Sequence, residues 1–321
     1  LGGLPKKVSV LKKYSLRHPN HLMVDAGNLF FPTRVSQKKM ATAKLRADII
    51  ARILLARQKV IFNIGYNDLV GGISFLQQLQ QKYALNFLSA NLTDKDKTLL
   101  FTPYVRQQVG SLSIAVIGLT GKQVPNSLKG EVRIAPWQKT LPPALDELGQ
   151  TTDIIILLSS YSPQENQQIT QTFDQIRVII QAGRPKGNKI PRVIHNALLC
   201  QTTDRGQYQG VLTLNWGEQG KWAVKSNTKA QLKKIEQHLQ QVASRLKQLE
   251  QITDQGPQHE QKVNKLRRLK EHLQIKRDKL AHQVNHPNTT GPTYQNHFIA
   301  LTPGMDDDPE TLQLLKDAGV L

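Results

Sequence analysis

The chain has 321 residues, 39% of them hydrophobic, which is room for one large domain or two ordinary ones and excludes disorder of the whole. Its 43 Lys and Arg against 24 Asp and Glu leave a formal charge of +19, a field that draws nucleic acid, anionic lipid, acidic glycan or an acidic protein. A single cysteine, Cys200, excludes an internal disulfide and any cysteine-built zinc or iron–sulfur centre.

The chain opens on Leu1-Gly-Gly-Leu-Pro5, without Met and without an apolar h-region, so it reads as processed or trimmed, with no signal peptide of its own. No uninterrupted apolar stretch reaches the roughly 20 residues of a membrane-spanning helix. Residues 1–60 hold thirteen Lys or Arg against Asp25 and Asp48 alone, either a solvated helix face or an anion-binding patch. From His21 to about Ile180 short apolar runs alternate with helix-patterned segments. The runs begin at His21, Val60, Phe87, Ser113, Asp153 and Arg177, and they are apolar on both faces. Helices are predicted between them at about 38–57, 70–83, 142–149 and 163–174. Such alternation implies a covered, largely parallel sheet. After Pro191 the pattern turns to strands at Val193–Cys200, Gln207–Trp216 and Trp222–Lys225, read as an antiparallel second sheet packed on the first.

Near Lys229 the composition shifts to Gln, Lys, Leu and Glu, with apolar residues at 232, 235, 239, 242, 246, 249 and 252, a spacing of threes and fours that predicts a long amphipathic helix. Thr253-Asp-Gln-Gly-Pro257 breaks it, and a second stripe at 263, 266, 269, 273, 280 and 284, interrupted by Lys276, closes an antiparallel helical hairpin. The hairpin is either a partner-binding arm or two stripes that bury one another. His297–Thr302 reads as a strand returning to the body, and Asp308-Pro-Glu-Thr311 as a capped helix start. The expected division is 1–228 for the α/β body, 229–284 for the hairpin and 285–321 for the returning strand and helix.

Three apolar runs stop at small or polar residues, as at the ligand-bearing carboxyl edge of an α/β sheet: Asp25-Ala-Gly-Asn28, Gly65-Tyr-Asn-Asp-Leu69 and Leu157-Leu-Ser-Ser-Tyr161. With Gly2-Gly-Leu-Pro-Lys-Lys7, Phe87-Leu-Ser-Ala-Asn-Leu92, Pro103-Tyr104, Ile114–Thr120 and the strand from Gly206 to Leu214, these segments resemble, in order and spacing, the calcineurin-like metallophosphoesterases. The branch they are similar to is that of secreted bacterial 5′-nucleotidases and UDP-sugar hydrolases. The resemblance implies two mixed β-sheets packed together and flanked by helices, and a protein that acts in the periplasm or otherwise outside the cytoplasm.

It also implies a site of two divalent metals that activate water for in-line attack on a phosphoryl group. The family's bridging Asp falls on Asn28, its Asn-His pair on Tyr66 and Asn67, a later His on Ser160, and its Gly-His-x-His on Ala182-Gly183-Arg184-Pro185. Its first motif, Asp-x-His, would precede Leu1. Two doubly charged ions about 3.7 Å apart repel by roughly 18 kcal/mol at an effective dielectric of about 20. Anionic and imidazole ligands must offset that, and these positions supply neither. The expectation is a pseudoenzyme with no catalytic residue and no cofactor, in which Asp25 and Asp68 bond to loop backbone. The alternative is a divergent metal-dependent phosphoesterase that completes its site from a preceding segment together with Asp25 and Asp68.

Other chemistries find less support. Ser159 and Ser160 lack a nucleophile elbow, and His195 reads as a core or edge histidine of an apolar strand. His238, His259, His272, His282 and His286 show no i, i+4 pair for zinc. Gly118-Leu-Thr-Gly-Lys122 departs from phosphate-loop spacing. Asn91-Leu-Thr and Asn288-Thr-Thr fit a glycosylation pattern that a bacterial resemblance gives no use. The family's base-stacking C-terminal domain has no counterpart. The partners expected are another protein or an anionic polymer, met through residues 1–60 or the 229–284 hairpin. Few aromatics interleave with the cations, which weakens a nucleic-acid reading.

Overall fold

The computed structural model describes residues 3–56, 59–203, 206–217, 221–223, 227–251, 256–285 and 291–320. In chain order the elements are α1 (Leu4–Arg17), β1 (Val24–Asp25), α2 (Gln37–Ile50), β2 (Ile61–Asn63), α3 (Ile73–Tyr83), β3 (Asn86–Leu88), β4 (Leu92–Asp94), β5 (Tyr104–Val109), β6 (Leu112–Leu119), β7 (Val132–Ile134), α4 (Trp137–Leu148), β8 (Ile154–Ser159), α5 (Pro163–Thr172), β9 (Ile176–Gln181), β10 (Lys189–Ile194), β11 (Ala197–Gln201), β12 (Tyr208–Asn215), α6 (Asn227–Glu250), α7 (Pro257–Asn285), β13 (Thr293–Ala300) and α8 (Pro309–Asp317). They form two compact units, Leu1–Val211 with Asn296–Leu321, and Leu212–Gln295.

In the first unit β1, β2 and β3 make a three-stranded parallel sheet. A six-stranded sheet runs β10-β11-β9-β8-β6-β5, parallel through β6, β8, β9 and β11 and antiparallel at both edges. This is the flanked two-sheet α/β architecture expected. Every residue of β8 is buried, because helices cover one face and the body the other. On the helix side Ile155, Leu157, Ile176 and Ile179 pack with Trp137, Leu141 and Leu145 of α4 and Ile169 of α5. Around the three-stranded sheet, Phe62 and Phe87 pack with Phe30 and with apolar residues of α1, α2 and α3.

Several elements depart from the sequence expectation. Helix α1 follows from Pro5 in its first turn and from Leu4, Val8 and Leu11, spaced to one buried face. Helix α4 starts at Trp137 rather than 142 and holds Pro142 and Pro143 inside it; the apolar face through Trp137, Leu141 and Leu145 outweighs the backbone bonds those prolines forgo. Val193–Cys200 is not one strand. The chain reverses at His195, whose φ of 51° lies in the left-handed region, and Ile194 pairs with Ala197. The resulting hairpin joins the six-stranded sheet instead of starting a separate antiparallel sheet, so His195 sits exposed on a turn rather than in a core. Trp222 and Ala223 lie outside any strand, and Lys225 lies outside the described residues.

The cations of α1 meet the C-terminal turn. Lys6 Nζ lies 3.0 Å from Asp307 Oδ1, Lys12 Nζ 2.6 Å from Asp308 Oδ1, and Lys13 Nζ 2.8 Å from Asp306 Oδ2. Asp308 also caps α8, its Oδ2 accepting the Thr311 N–H at 3.0 Å, as the Asp-Pro-Glu-Thr segment predicts.

In the second unit α6 and α7 pair along their lengths. The seam of α6 runs through Leu232, Ile235, Leu239, Val242, Leu246 and Leu249, as the spacing predicts; residue 252 and the break at 253–255 lie outside the described residues. The seam of α7 runs through 263, 266, 270, 273, 277, 280 and 284, an unbroken alternation of three and four. It therefore takes in Lys270 and Arg277, and leaves Leu269 and Lys276 outside. The long stems of Lys and Arg fill such positions with their charged ends turned outward.

Candidate functional site

Helices occupy the connections of the parallel strands, so loops gather at the carboxyl ends of β1, β2, β3, β6 and β8. There the ends of β1 and β2 meet backbone to backbone. Gly27, with φ of 104°, and Gly65 permit this: a Cβ on Gly27 would lie 2.5 Å from the Asn63 carbonyl oxygen, and one on Gly65 2.7 Å from Asn28 Oδ1. Asn28 itself adopts a left-handed φ of 69°, a conformation Asn tolerates better than most residues.

Asp68 fastens the junction. Its Oδ2 accepts the N–H groups of Asn28 at 2.7 Å and Gly65 at 2.8 Å, and its Oδ1 those of Leu29 at 2.8 Å and Phe30 at 3.0 Å. A carboxylate has about four lone-pair sites, and all four are taken. Burial pushes the Asp68 carboxyl up to about 7 against the pull of those N–H groups, and the charge of Asp25 adds to the rise. Asp25 is also raised by burial, offset by Lys7 and by the Gly27 N–H that its Oδ1 accepts at 2.9 Å. Both acids therefore bond to loop backbone, as the sequence reading has it.

The remaining positions separate into two groups. Asn28 Oδ1 accepts the Asn67 N–H at 2.9 Å, and Ser160 Oγ sits 3.3 Å from Asn63 Nδ2 and accepts the Gly121 N–H at 3.3 Å. Asn28, Asn67 and Asp68 thus meet in one knot, with Tyr66 half-buried beside Asn67 in the chain, while Ser160 joins Asn63 and Gly121. Gly183 and Pro185 belong to a separate turn, where Arg184 Nη2 donates to Thr33 Oγ1 at 3.1 Å. Neither offers a side-chain donor atom.

Behind the knot lies a buried neutral network that motif reasoning passed over. Asn63 Nδ2 reaches the carbonyls of Ala26 at 2.9 Å and Leu119 at 3.3 Å, while its Oδ1 is buried without a protein partner. Asn91 donates to the Thr120 carbonyl at 2.8 Å and accepts the Thr120 N–H at 2.8 Å. Thr120 Oγ1 donates to the Ile64 carbonyl at 2.8 Å and meets Ser89 Oγ at 2.7 Å. The Tyr161 hydroxyl lies 3.2 Å from Asn91 Nδ2, and burial raises it to about 12. The signal was present as polar residues closing each apolar run: Asn63, Ser89, Asn91 and Thr120. Asn91 is fully buried, so it is no acceptor for a glycan, and Gly118 serves close packing against Leu88 rather than a phosphate. His286 and Asn288 lie outside the described residues.

A two-metal centre does not fit this set of donors. Asp68 has no lone pair to give, Asn28 spends one of its amide oxygen's two lone pairs on Asn67, and beside the knot Asp25 keeps carboxylate capacity after accepting the Gly27 N–H. Among the described residues no group of three or more His, Cys, Asp or Glu could hold a metal ion. The hydrogen bonds of Asp68 and Asn28 tie the ends of β1 and β2 together.

No protein-family model matches the chain, and no curated protein matches it. Solved structures do. The sulfate thiohydrolase SoxB of Thermus thermophilus is similar over 67% of this chain and 39% of its own, with 18% identity and a TM-score of 0.56. The NAD nucleotidase NadN of Haemophilus influenzae is similar over 68% of this chain and 42% of its own, at 20% identity and a TM-score of 0.53. The calcineurin-like phosphoesterase YfkN of Bacillus subtilis is similar over 98% of this chain and 87% of its own, at 13% identity and a TM-score of 0.60. The fold is that of the calcineurin-like phosphoesterases, and the chain spans less than half the length of SoxB and NadN.

Proposed function

We propose that this chain is a calcineurin-like phosphoesterase fold that has given up hydrolysis and serves as a binding or scaffolding module outside the cytoplasm. The observation that supports this most is the state of Asp68. The acid retained beside the emptied ligand positions has all its lone pairs filled by backbone N–H groups. Asn28, Asn67 and Ser160 add amide and hydroxyl oxygens without charge, against a repulsion between paired ions that anionic ligands must offset. The basic surface and the helical hairpin supply faces for contact. A 5′-nucleotidase precursor of Thermus thermophilus among the structural neighbours supports the extracytoplasmic setting, and no helix is long and apolar enough among the described residues to cross a membrane.

A second reading is favoured by the neighbours' names, which are those of hydrolases: a metal-dependent phosphoesterase of 5′-nucleotidase type that uses two divalent ions. Elemental analysis after manganese loading, together with hydrolysis of a generic phosphate ester, separates the two. Substoichiometric metal and no turnover above background are expected, also in a chain extended at its N-terminus. Near-stoichiometric metal with chelator-sensitive turnover in either form would establish the enzyme instead.

A further inference from the structure

The charges of the helical hairpin are sorted between its two sides. At about 100° per residue, Lys276 and Lys265 of α7 stand about 90–110° from the centre of its seam and Lys279 and Arg268 about 150–170°, all to one flank. Glu260, Glu271 and Asp278 stand about 110–130° to the other flank. On α6, Arg245 and Lys234 stand about 90–110° to one flank of its seam, and Glu236 and Glu250 about 50–90° to the other. Two right-handed helices that run antiparallel bring like-turned flanks to the same side, and the contact of Arg267 Nη2 with Glu250 Oε1 at 2.8 Å agrees, because both residues stand on the acid-bearing flanks. One side of the hairpin therefore carries all five acids of α6 and α7, and the other carries six exposed cations and no acid. Arg267 and Arg277 are paired with Glu250 and Asp278, whereas none of the six makes an ion pair among the described residues.

We infer that the acid-free side of the hairpin binds a linear acidic polysaccharide, whose sulfate or carboxylate groups meet these unneutralised cations. The cations do not lie in a plane. They follow a strip about 21 Å long on α7, which starts at the flank shared with α6 and turns round toward the back of α7. A flexible chain can follow such a strip, whereas a planar bilayer or a duplex with a persistence length of about 150 base pairs meets a convex surface along one line. A bilayer also needs an apolar centre to insert; Leu269 borders the seam and Ile275 lies at the far edge of the cations, with no apolar residue of α7 between them. Among flexible polyanions, single-stranded nucleic acid calls for stacking platforms and an acidic peptide for an aromatic or apolar anchor; neither α6 nor α7 contains Phe, Tyr or Trp. The inference rests on the reading of this chain as a binding module outside the cytoplasm and names the chemistry of its partner.

The test is fluorescence anisotropy of labelled heparin titrated with the full chain at stepped salt, with unlabelled duplex DNA, polyglutamate and phosphatidylglycerol vesicles as competitors at equal anion concentration. Binding that weakens as salt rises is expected, with each competitor displacing heparin less well than unlabelled heparin does. An exposed ion pair contributes about threefold, so the combined substitutions K265Q, R268Q and K279Q lower the affinity roughly 30-fold and flatten its dependence on salt. The combination K233Q, K247Q and R267Q removes the same charge from the rest of the hairpin and leaves the affinity within about threefold. All six positions are exposed, so helix content by circular dichroism stays unchanged in both variants. Equal loss in the two variants, no binding by the parent chain, or stronger competition by duplex DNA, polyglutamate or vesicles than by heparin would each overturn the inference. Metal content and ester hydrolysis are read separately, so absence of heparin binding in a metal-free, inactive chain sinks this inference alone, and metal-dependent turnover sinks the non-catalytic reading whatever the heparin result.

Discussion

Replacing Asp68 by Asn keeps the shape of the side chain and removes one acceptor oxygen. The carboxylate takes two backbone N–H groups on each oxygen; an amide can serve one pair, and turns an NH2 toward the other. Two bonds to a charged group, at about 1.5–3 kcal/mol each, put the loss at about 3–6 kcal/mol at pH 8, where a carboxyl titrating at about 7 is ionised. With a urea slope of about 3 kcal/mol per molar, the unfolding midpoint of the first unit falls by roughly 1–2 M. Hydrogen exchange followed on peptides spanning 28–30 and 65 should show those four amides exchanging at least a hundredfold faster. A midpoint within about 0.3 M of the parent, with protection of these amides intact, would refute the view that Asp68 holds the strand ends together.

The raised carboxyl of Asp68 also fixes the sign of a pH effect. A folded pKa of about 7 against an unfolded 3.8 means the folded state keeps a proton that the unfolded chain has released between those values. Stability should therefore fall as pH rises from about 4 to 7 and level off above, a slope that Asp68→Asn abolishes; denaturant titrations at stepped pH read it directly. Asp308→Ala removes the cap of α8 and the partner of Lys12, and should cost about 1–2 kcal/mol, measured as a lower thermal midpoint; an unchanged midpoint would show that this turn does not anchor α1. Lys270→Leu should raise the stability of the hairpin by about 1 kcal/mol by completing an apolar seam position, and faster exchange in α6 would contradict the register assigned to α7.

Where the residues carry a strong local signal, the fold could be read ahead of the structure. The runs at Ile114 and Ile154 are apolar on both faces and became the parallel strands β6 and β8, and α5 begins at the Ser162 and Pro163 that such a helix start requires. The misreadings share a cause, which is that partners distant in sequence decide them. Nothing near His195 announces a left-handed turn, and the choice of Arg277 over Lys276 for the seam depends on where α6 lies. At the strand ends, the residues supported an expectation that Asp68 bonds to loop backbone. Only packing could reveal that Asp68 had been recruited to hold four amides, since its donors come from residues 28–30 and 65.

Strands β12 and β13 are paired neighbours and run in opposite directions, with the Leu301 N–H reaching the Gln207 carbonyl at 2.8 Å. Everything between Asn215 and Thr293 therefore occupies the place where a short turn would suffice. Closing entropy grows only logarithmically with the length of such an excursion, so the body tolerates an outgrowth of this size, or its replacement by a few turn residues, at a cost of only a few kcal/mol. The α6–α7 segment is in that sense a removable graft, free to vary in length and charge while β12 and β13 stay paired.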